Sequence, residues 1–217
     1  MIMRCATWDE ATGLFAERGL PESVWENLYE GEYVLHSGNA TVTGNFPLNS
    51  GEEHPWDAEH AEWDIGYVVD GDLTVTGSLY DVDDGAAALV VLGDLKVVGL
   101  HTTCDPKIVV AGNTTAEVVF GRYTDKYLSF GGDLRAVVQR WVDECAPDFV
   151  GGTLAGSLFL PDYLKESDLG AAHVENSGVP AADLLVPEVL DASGAVDGEA
   201  LHVRLVAGRP VLLDGVR

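Results

Sequence analysis

A short alternation of apolar and polar residues recurs along the middle of the chain, and each copy begins at a glycine. The clearest copy, at 71–77, reads Gly-Asp-Leu-Thr-Val-Thr-Gly, with near relatives at 38–44 and 93–99. The first glycines of the copies stand at positions 38, 71, 93, 112, 132 and 152, so the intervals are 33, 22, 19, 20 and 20 residues. A recurring period near 20 residues indicates a repeat architecture in which each copy forms one structural unit.

The alternation itself predicts strands. Val69 and Tyr67 stand two and four positions before Gly71, while Leu73 and Val75 stand two and four positions after it. Period-two alternation is typical of half-buried strands, and glycine followed by Asp or Asn suits a bend with unusual backbone angles. We therefore predict a mainly β fold, a right-handed β-solenoid of about six turns stacked about 4.8 Å apart.

Helical patterns flank the repeats. Thr7 and Glu10 have capping-box spacing, and Asp197 is a good N-cap for a helix near the C-terminus. We expect an N-terminal helical cap, the solenoid and a C-terminal covering segment with short helices, at residues 1–33, 34–160 and 161–217. The long first interval adds an insertion that we place within 45–65.

One column that should face outward is apolar. Three positions before the glycine, consecutive copies hold Val68, Val90 and Val109. An exposed apolar ribbon needs a cover. The sequence leaves two covers open: the chain's own C-terminus, with 180–190 as the candidate strap, or a second copy, which would make a homodimer through this column.

The charge is strongly negative and lies mainly at the two ends. Of the net −24, residues 1–70 contribute −12 (14 acids, 2 bases), 71–140 contribute −3 (9 and 6), and 141–217 contribute −9 (13 and 4). Such a field repels nucleic acid phosphates and anionic membranes and favours a basic protein partner. We therefore expect no nucleic-acid partner and no membrane partner.

The cysteines predict the compartment. An odd count without paired spacing argues against a disulfide framework, and no leader or membrane-spanning stretch is evident in the sequence. A cytoplasmic location is expected. The three cysteines are Cys5, Cys104 and Cys145.

Candidate binding residues lie in two stretches that the repeats do not explain. A long insertion on a rigid scaffold often carries function, and the polar turn at 122–126 could contact a partner. The candidates in the insertion are Glu52, Glu53, Trp56, Asp57 and Trp63; those in the turn are Arg122, Tyr123 and Asp125.

Two groups contain residue types that bind metals. His54, Asp57 and His60 lie in the insertion, but their spacing matches no established motif. His101, Cys104 and Asp105 form the second group. An acidic surface loop anchored by tryptophans accounts for the first group and a corner between strands for the second, so no cofactor is expected.

The Gly-Asp-Leu phrase resembles that of bacterial β-solenoid proteins of the bactofilin, or polymer-forming, type over about residues 34–155. The resemblance implies a solenoid architecture. Proteins of that type polymerise through bare solenoid ends, whereas helical or acidic segments flank both ends of this repeat region.

The chain has no phosphate-loop, GxSxG, HExxH or CxxC signature. The function that we predict is that of a non-catalytic acidic interaction protein that binds a basic protein partner, such as a bacterial immunity or inhibitor protein. Two alternatives stay open: a self-assembling structural scaffold, and an enzyme with a site in the 45–65 insertion.

Overall fold

The computed structural model describes residues 3–48, 56, 64–81, 88–123 and 125–216. These residues form three α-helices, α1 (Trp8–Glu17), α2 (Glu22–Trp25) and α3 (Gly198–Val206), and three short 3-10 helices (Glu166–Asp168, Ala181–Asp183 and Pro187–Val189). In chain order the strands are β1 (Met3–Ala6), β2 (Glu32–Ser37), β3 (Ala40–Val42), β4 (Phe46–Pro47), β5 (Asp64–Asp70), β6 (Leu73–Val75), β7 (Ser78–Tyr80), β8 (Ala88–Val91), β9 (Leu95–Lys96), β10 (Gly99–Thr102), β11 (Lys107–Val110), β12 (Thr114–Gly121), β13 (Tyr127–Phe130), β14 (Leu134–Trp141), β15 (Phe149–Phe159) and β16 (Ala171–Asn176).

The strands build a β-solenoid with three faces, as the repeats predict. On the first face, β2, β5, β8, β11, β13 and the start of β15 stack in parallel. The second face contains β3, β6 and β9, followed by the first halves of β12 and β14. The third contains β4, β7 and β10, followed by the second halves of β12 and β14. The solenoid makes about five turns, slightly fewer than the six predicted.

The Gly-Asp and Gly-Asn pairs form the corner between the first and second faces. The side chain of each Asx residue accepts a hydrogen bond from the backbone N–H of the equivalent residue in the next turn. The bonds run from Asp72 N to Asn39 Oδ1 (2.9 Å), Asp94 N to Asp72 Oδ1 (2.9 Å), Asn113 N to Asp94 Oδ1 (2.7 Å), Asp133 N to Asn113 Oδ1 (3.0 Å) and Thr153 N to Asp133 Oδ1 (2.8 Å). This ladder satisfies backbone donors that the bend removes from the sheets.

Close packing of the turns, and not backbone angle, explains most of the corner glycines. A Cβ atom on Gly71 would lie 2.5 Å from Asn39 Oδ1 and 2.7 Å from the carbonyl carbon of Gly38. Of the six repeat glycines only Gly38 has a positive φ, of 80°. The expectation of unusual backbone angles is therefore wrong at the other five positions.

Trp56 closes the N-terminal end of the core. Its ring stacks on His36 (centroids 5.4 Å apart) and meets the rings of Phe46 (4.9 Å) and Tyr67 (5.8 Å) edge-on. The side chain is 5% exposed. Trp56, predicted as a binding residue, is thus packed inside the solenoid and is not available at the surface in this conformation.

The N-terminal segment covers the first face. β1 pairs antiparallel with β2, and Thr7 and Glu10 form the predicted capping box of α1. Buried side chains from this segment cluster with the outer apolar column; the cluster includes Ala11, Phe15, Leu20, Leu28, Val68, Val90 and Val109. The column is 0–1% exposed. The predicted cover by residues 180–190 is therefore wrong, and the column offers no exposed surface for a homodimer.

The C-terminal segment, by which we mean residues 179–216, lies on the third face instead. Its apolar side chains pack against Val118, Phe120 and Val138, which point outward from β12 and β14. The packed side chains include Leu184, Leu185, Val189, Leu201, Leu205 and Val211. Asp197 caps α3, as predicted, by accepting from the N–H groups of Glu199 and Ala200. None of the described helices is long and apolar enough to cross a membrane.

Candidate functional site

Three loops at the corner after the third face lie next to one another because the turns repeat every 20 residues. Positions 123, 143 and 163 are spaced by this period, and the backbone N–H of Asp143 donates to the hydroxyl of Tyr163 (3.0 Å). We call this surface the corner patch. It comprises Arg122, Tyr123, Asp125, Asp143, Glu144, Tyr163 and Glu199.

Arg122 connects the parts of the corner patch. Its Nε lies 3.7 Å from Asp143 Oδ2, and its Nη1 lies 3.5 Å from Glu199 Oε2 on α3. Its guanidinium carbon lies 4.6 Å from the centroid of the Tyr123 ring, within the range of a cation–π contact. Arg122 therefore joins two solenoid loops to the C-terminal segment, although exposed ion pairs of this kind contribute little stability.

Aromatic side chains project from the corner patch into solvent. Tyr123 is 46% exposed and Tyr163 is 59% exposed. Val203, 49% exposed, lies one turn after Glu199 on α3. Tyrosine offers a large, fairly rigid surface with a polar tip, and tyrosine and arginine are enriched among residues that dominate binding energy at protein interfaces. The patch thus has the composition of a protein contact surface.

Backbone strain is concentrated at the same place. Tyr123, Asp143 and Glu144 have φ values of 66°, 53° and 60°, and they are the described non-glycine residues with positive φ. A non-glycine residue in this region costs about 1–2 kcal/mol. Such strain is concentrated at functional sites, where the surrounding structure holds it in place.

The corner patch is rich in exposed carboxylates. Asp125, Asp143, Glu144 and Glu199 are exposed members of the patch, and Asp162 lies beside Tyr163. The nearby bases are engaged: Lys126 binds Asp148 (2.8 Å), and the half-buried Arg140 donates to the carbonyl of Phe159 (3.1 Å). Burial lowers the pKa of Arg140. The surface is therefore electrostatically suited to a basic partner.

A histidine pair lies beneath the corner patch. His101 on β10 is 0% exposed and its ring stacks on Phe120 (centroids 5.0 Å apart). Nδ1 of His202, on α3, lies 3.1 Å from Nδ1 and 3.2 Å from Nε2 of His101. Burial, with smaller contributions from His202 and Arg122, lowers the pKa of His101 to about 3. His101 is therefore neutral at pH 7.

Most residues predicted in the insertion lie outside the described residues. This holds for Glu52, Glu53, His54, Asp57, His60 and Trp63. The second predicted metal group does not converge: His101 faces His202, while the backbone carbonyl of Asp105 accepts from the Tyr29 hydroxyl (3.0 Å). Within the part of the chain that the structure describes, no group of three or more His, Cys, Asp or Glu side chains could hold a metal ion.

An open groove of about 700 Å³ lies on the outer side of the second face. The residues that stand three positions after a repeat glycine contribute to its lining: Thr74, Lys96, Thr115 and Arg135. Arg135 is engaged with Asp133 (3.0 Å) and Glu175 (3.7 Å). The walls of the groove are mostly small and apolar, and its charged side chains are Lys96, Glu117 and Arg135.

Comparison of the chain with models of protein families, with curated proteins and with solved structures gave no match. The resemblance to bactofilin-type proteins accordingly depends on the repeated Gly-Asp-Leu phrase alone.

Sequence reasoning named Arg122, Tyr123 and Asp125 but missed the rest of the corner patch. Asp143 and Tyr163 could have been found from the 20-residue period, which relates them to Tyr123 just as it relates the repeat glycines to one another. Glu199 and the His101–His202 contact had no comparable signal, because they depend on where α3 packs.

Proposed function

We propose that this protein is a non-catalytic interaction protein whose acidic surface binds a basic protein partner through the corner patch. The observation that carries the proposal is the combination of Tyr123 and Tyr163, exposed and joined through Arg122 and Asp143, with a rim of exposed carboxylates. Aromatic anchors supply binding energy, and the charged rim supplies steering and specificity.

The overall charge supports the same partner chemistry. The N-terminal segment carries seven acids and two bases, and its bases are occupied by acids: Arg4 contacts Glu10 (3.1 Å) and Arg18 contacts Asp70 (2.7 Å). With a net charge of −24, the field accelerates association with a cationic protein and makes it dependent on ionic strength. An immunity or inhibitor protein that covers a basic target is the role we propose for such a surface.

The experiment is capture from a lysate of the source cells by immobilised wild-type protein at 50 and 500 mM salt. We expect a basic protein to be retained at low salt and largely released at high salt. The double variant Tyr123→Ala/Tyr163→Ala should weaken its binding by at least tenfold, which is about 1.4 kcal/mol. Phe149→Ala is the matched control, because Phe149 is similarly exposed (48%) on the first face.

A second pair of variants separates charge from aromatic contact. Asp143→Asn/Glu144→Gln removes two carboxylates while keeping their shape, and we expect slower association and a weaker salt dependence. Glu22→Gln/Glu26→Gln on the N-terminal segment is the control. If no basic protein is captured at either salt concentration, the proposed function is wrong; equal capture by all variants would show that the corner patch is not the contact.

Self-assembly is the second candidate, and one observation favours it. Among the described strands β16 pairs only with β15, so it presents a free edge at the C-terminal end of the solenoid. Free edges can pair with another chain. Light scattering over a range of concentrations tests this candidate, and a monomer at every concentration would contradict it. The enzyme alternative, the cytoplasmic location and the absence of nucleic-acid or membrane partners stay predictions.

A further inference from the structure

The C-terminal segment is attached to the third face without sheet hydrogen bonds. Its own backbone bonds are internal, as between Val186 N–H and the Val211 carbonyl (2.9 Å). Within the described residues, two side chains of the solenoid bond to the end of α3: Asn45 Nδ2 donates to the carbonyl of Val206 (2.9 Å) and Ser78 Oγ to that of Leu205 (3.2 Å). The remaining adhesion comes from apolar packing, the Arg122–Glu199 ion pair and the His101–His202 contact, and no backbone bond of the sheet has to break when the segment opens as a unit.

The His101–His202 contact lies within this interface. His101 is enclosed by Phe120 on one side and by α3 on the other, and it is fully buried. At a nitrogen–nitrogen distance of 3.1 Å, one imidazole must donate an N–H and the other must offer a lone pair. Protonation of both rings removes the acceptor and places two positive charges in contact.

The groups around His101 make its protonation in the closed state unfavourable. Tyr80 on β7 lies beside it in register, and Arg122 follows the neighbouring strand β12. Arg122 is positive and repels a charged His101, as the pKa direction indicates. Asp143 and Glu199 are oriented toward Arg122. The buried Asp81, which follows Tyr80, accepts hydrogen bonds from the backbone N–H groups of Thr103 and Cys104.

We propose that the His101–His202 contact is an acid-sensitive latch: closed, it holds the C-terminal segment on the third face, and acid releases the segment because the opened state can protonate His101. Release uncovers Val118, Phe120 and Val138 on the solenoid. It also withdraws Glu199 from Arg122.

The direction in which pH shifts the opening of the C-terminal segment follows from proton linkage. Opening exposes His101 and restores an ordinary histidine pKa of about 6.5. In the closed state its pKa is lowered to about 3, so the open state binds more protons between these values. The contribution of His101 to the stability of the closed state is therefore fully present above about pH 6.5. Below that pH, the equilibrium constant for opening rises about tenfold per pH unit. Counting His101 alone, the opening constant rises about 25-fold from pH 7 to pH 5.

Hydrogen exchange of the full chain, read by mass spectrometry at pH 7 and pH 5, tests the latch. After correction for the pH dependence of chemical exchange, peptides covering 198–206 should lose protection by about 25-fold. Peptides from the solenoid strands β11 and β13 should keep theirs. Unchanged protection of 198–206, or an equal loss in the solenoid, would overturn the proposal.

Variants assign the effect to His101. His101→Phe and His101→Gln remove the titrating group, the first keeping an aromatic ring and the second a polar contact, and each should abolish the pH dependence of 198–206. His173→Gln, at an exposed position on β16, is the control and should retain it. A pH dependence that persists in both His101 variants rules out the latch. No partner is present in this experiment, so its outcome is independent of the proposed function.

Discussion

The N-terminal and C-terminal segments cover two faces of the same solenoid, but they are attached in different ways. The N-terminal segment adds β1 to the first face, so its backbone is part of the sheet. The C-terminal segment adds no strand to the third face and is held mainly by side chains. Since backbone hydrogen bonds to a sheet are lost only when that sheet edge opens, we expect the first cover to unfold with the solenoid and the second to detach before it.

The two covering segments also differ in what they contribute to the candidate site. The outer apolar column under the N-terminal segment, with Val68 and Val90, is buried and serves stability. The C-terminal segment contributes Glu199 to the corner patch and His202 to the histidine pair. The more weakly attached cover is therefore the one that carries the candidate chemistry, in keeping with the general link between function and local mobility.

The largest expected effect concerns the N-terminal cover. Phe15→Ala removes a fully buried ring from the cluster on the first face, which should cost about 3–5 kcal/mol of unfolding free energy. Chemical denaturation should show the loss in the main transition, because α1 is continuous with the sheet through β1. Leu14→Ala, at a half-buried position of the same helix, is the control and should cost less. A loss below about 1 kcal/mol for Phe15→Ala would contradict this.

The matching change in the C-terminal cover should act locally. Leu201→Ala removes a fully buried side chain from α3 at a cost of about 2–5 kcal/mol. We expect loss of hydrogen-exchange protection over 198–206, with an unchanged midpoint for unfolding of the solenoid. Val203→Ala, at an exposed position on the same helix, should change neither. If the solenoid midpoint falls as far as it does for Phe15→Ala, the two covers are equally integrated and the comparison fails.

The smallest expected effect on stability concerns the N-cap residues of α1 and α3. Thr7→Ala and Asp197→Ala each remove an N-cap side chain, for about 1 kcal/mol apiece. The first should lower the global unfolding free energy, whereas the second should appear only in exchange over 198–206. Thr7→Ser and Asp197→Asn retain a capping oxygen and should be close to wild type. Global destabilisation by both alanine variants would show that α3 does not open separately.

Local patterns predicted much of the fold. The glycine period predicted the stacked turns, the alternation predicted the strands, and Thr7, Glu10 and Asp197 predicted helix starts that the structure confirms. The turn count was slightly too high. The role of the corner glycines was misjudged, because contact between successive turns cannot be seen in one copy of the repeat.

The candidate site was predicted only in part. Arg122, Tyr123 and Asp125 were named because they form a polar turn between strands; in the structure Arg122 contacts the Tyr123 ring, and Tyr123 and Asp125 are exposed. Trp56 was named as a binding candidate because it lies in the long insertion, whereas its ring closes the core. The insertion residues on both sides of Trp56 lie outside the described residues, and their roles stay predictions.

The sequence by itself determined what repeats: strands of alternating polarity, a corner at each Gly-Asx pair and a chain whose ends carry most of its negative charge. These are local properties, since each depends on residues a few positions apart or one period apart. Only the tertiary structure decided which end covers which face: the N-terminal segment lies over Val68 and the C-terminal segment lies over Val118. An apolar face accepts any apolar cover of suitable shape. The choice between covers follows from packing between residues that are as far apart in the sequence as His101 and His202.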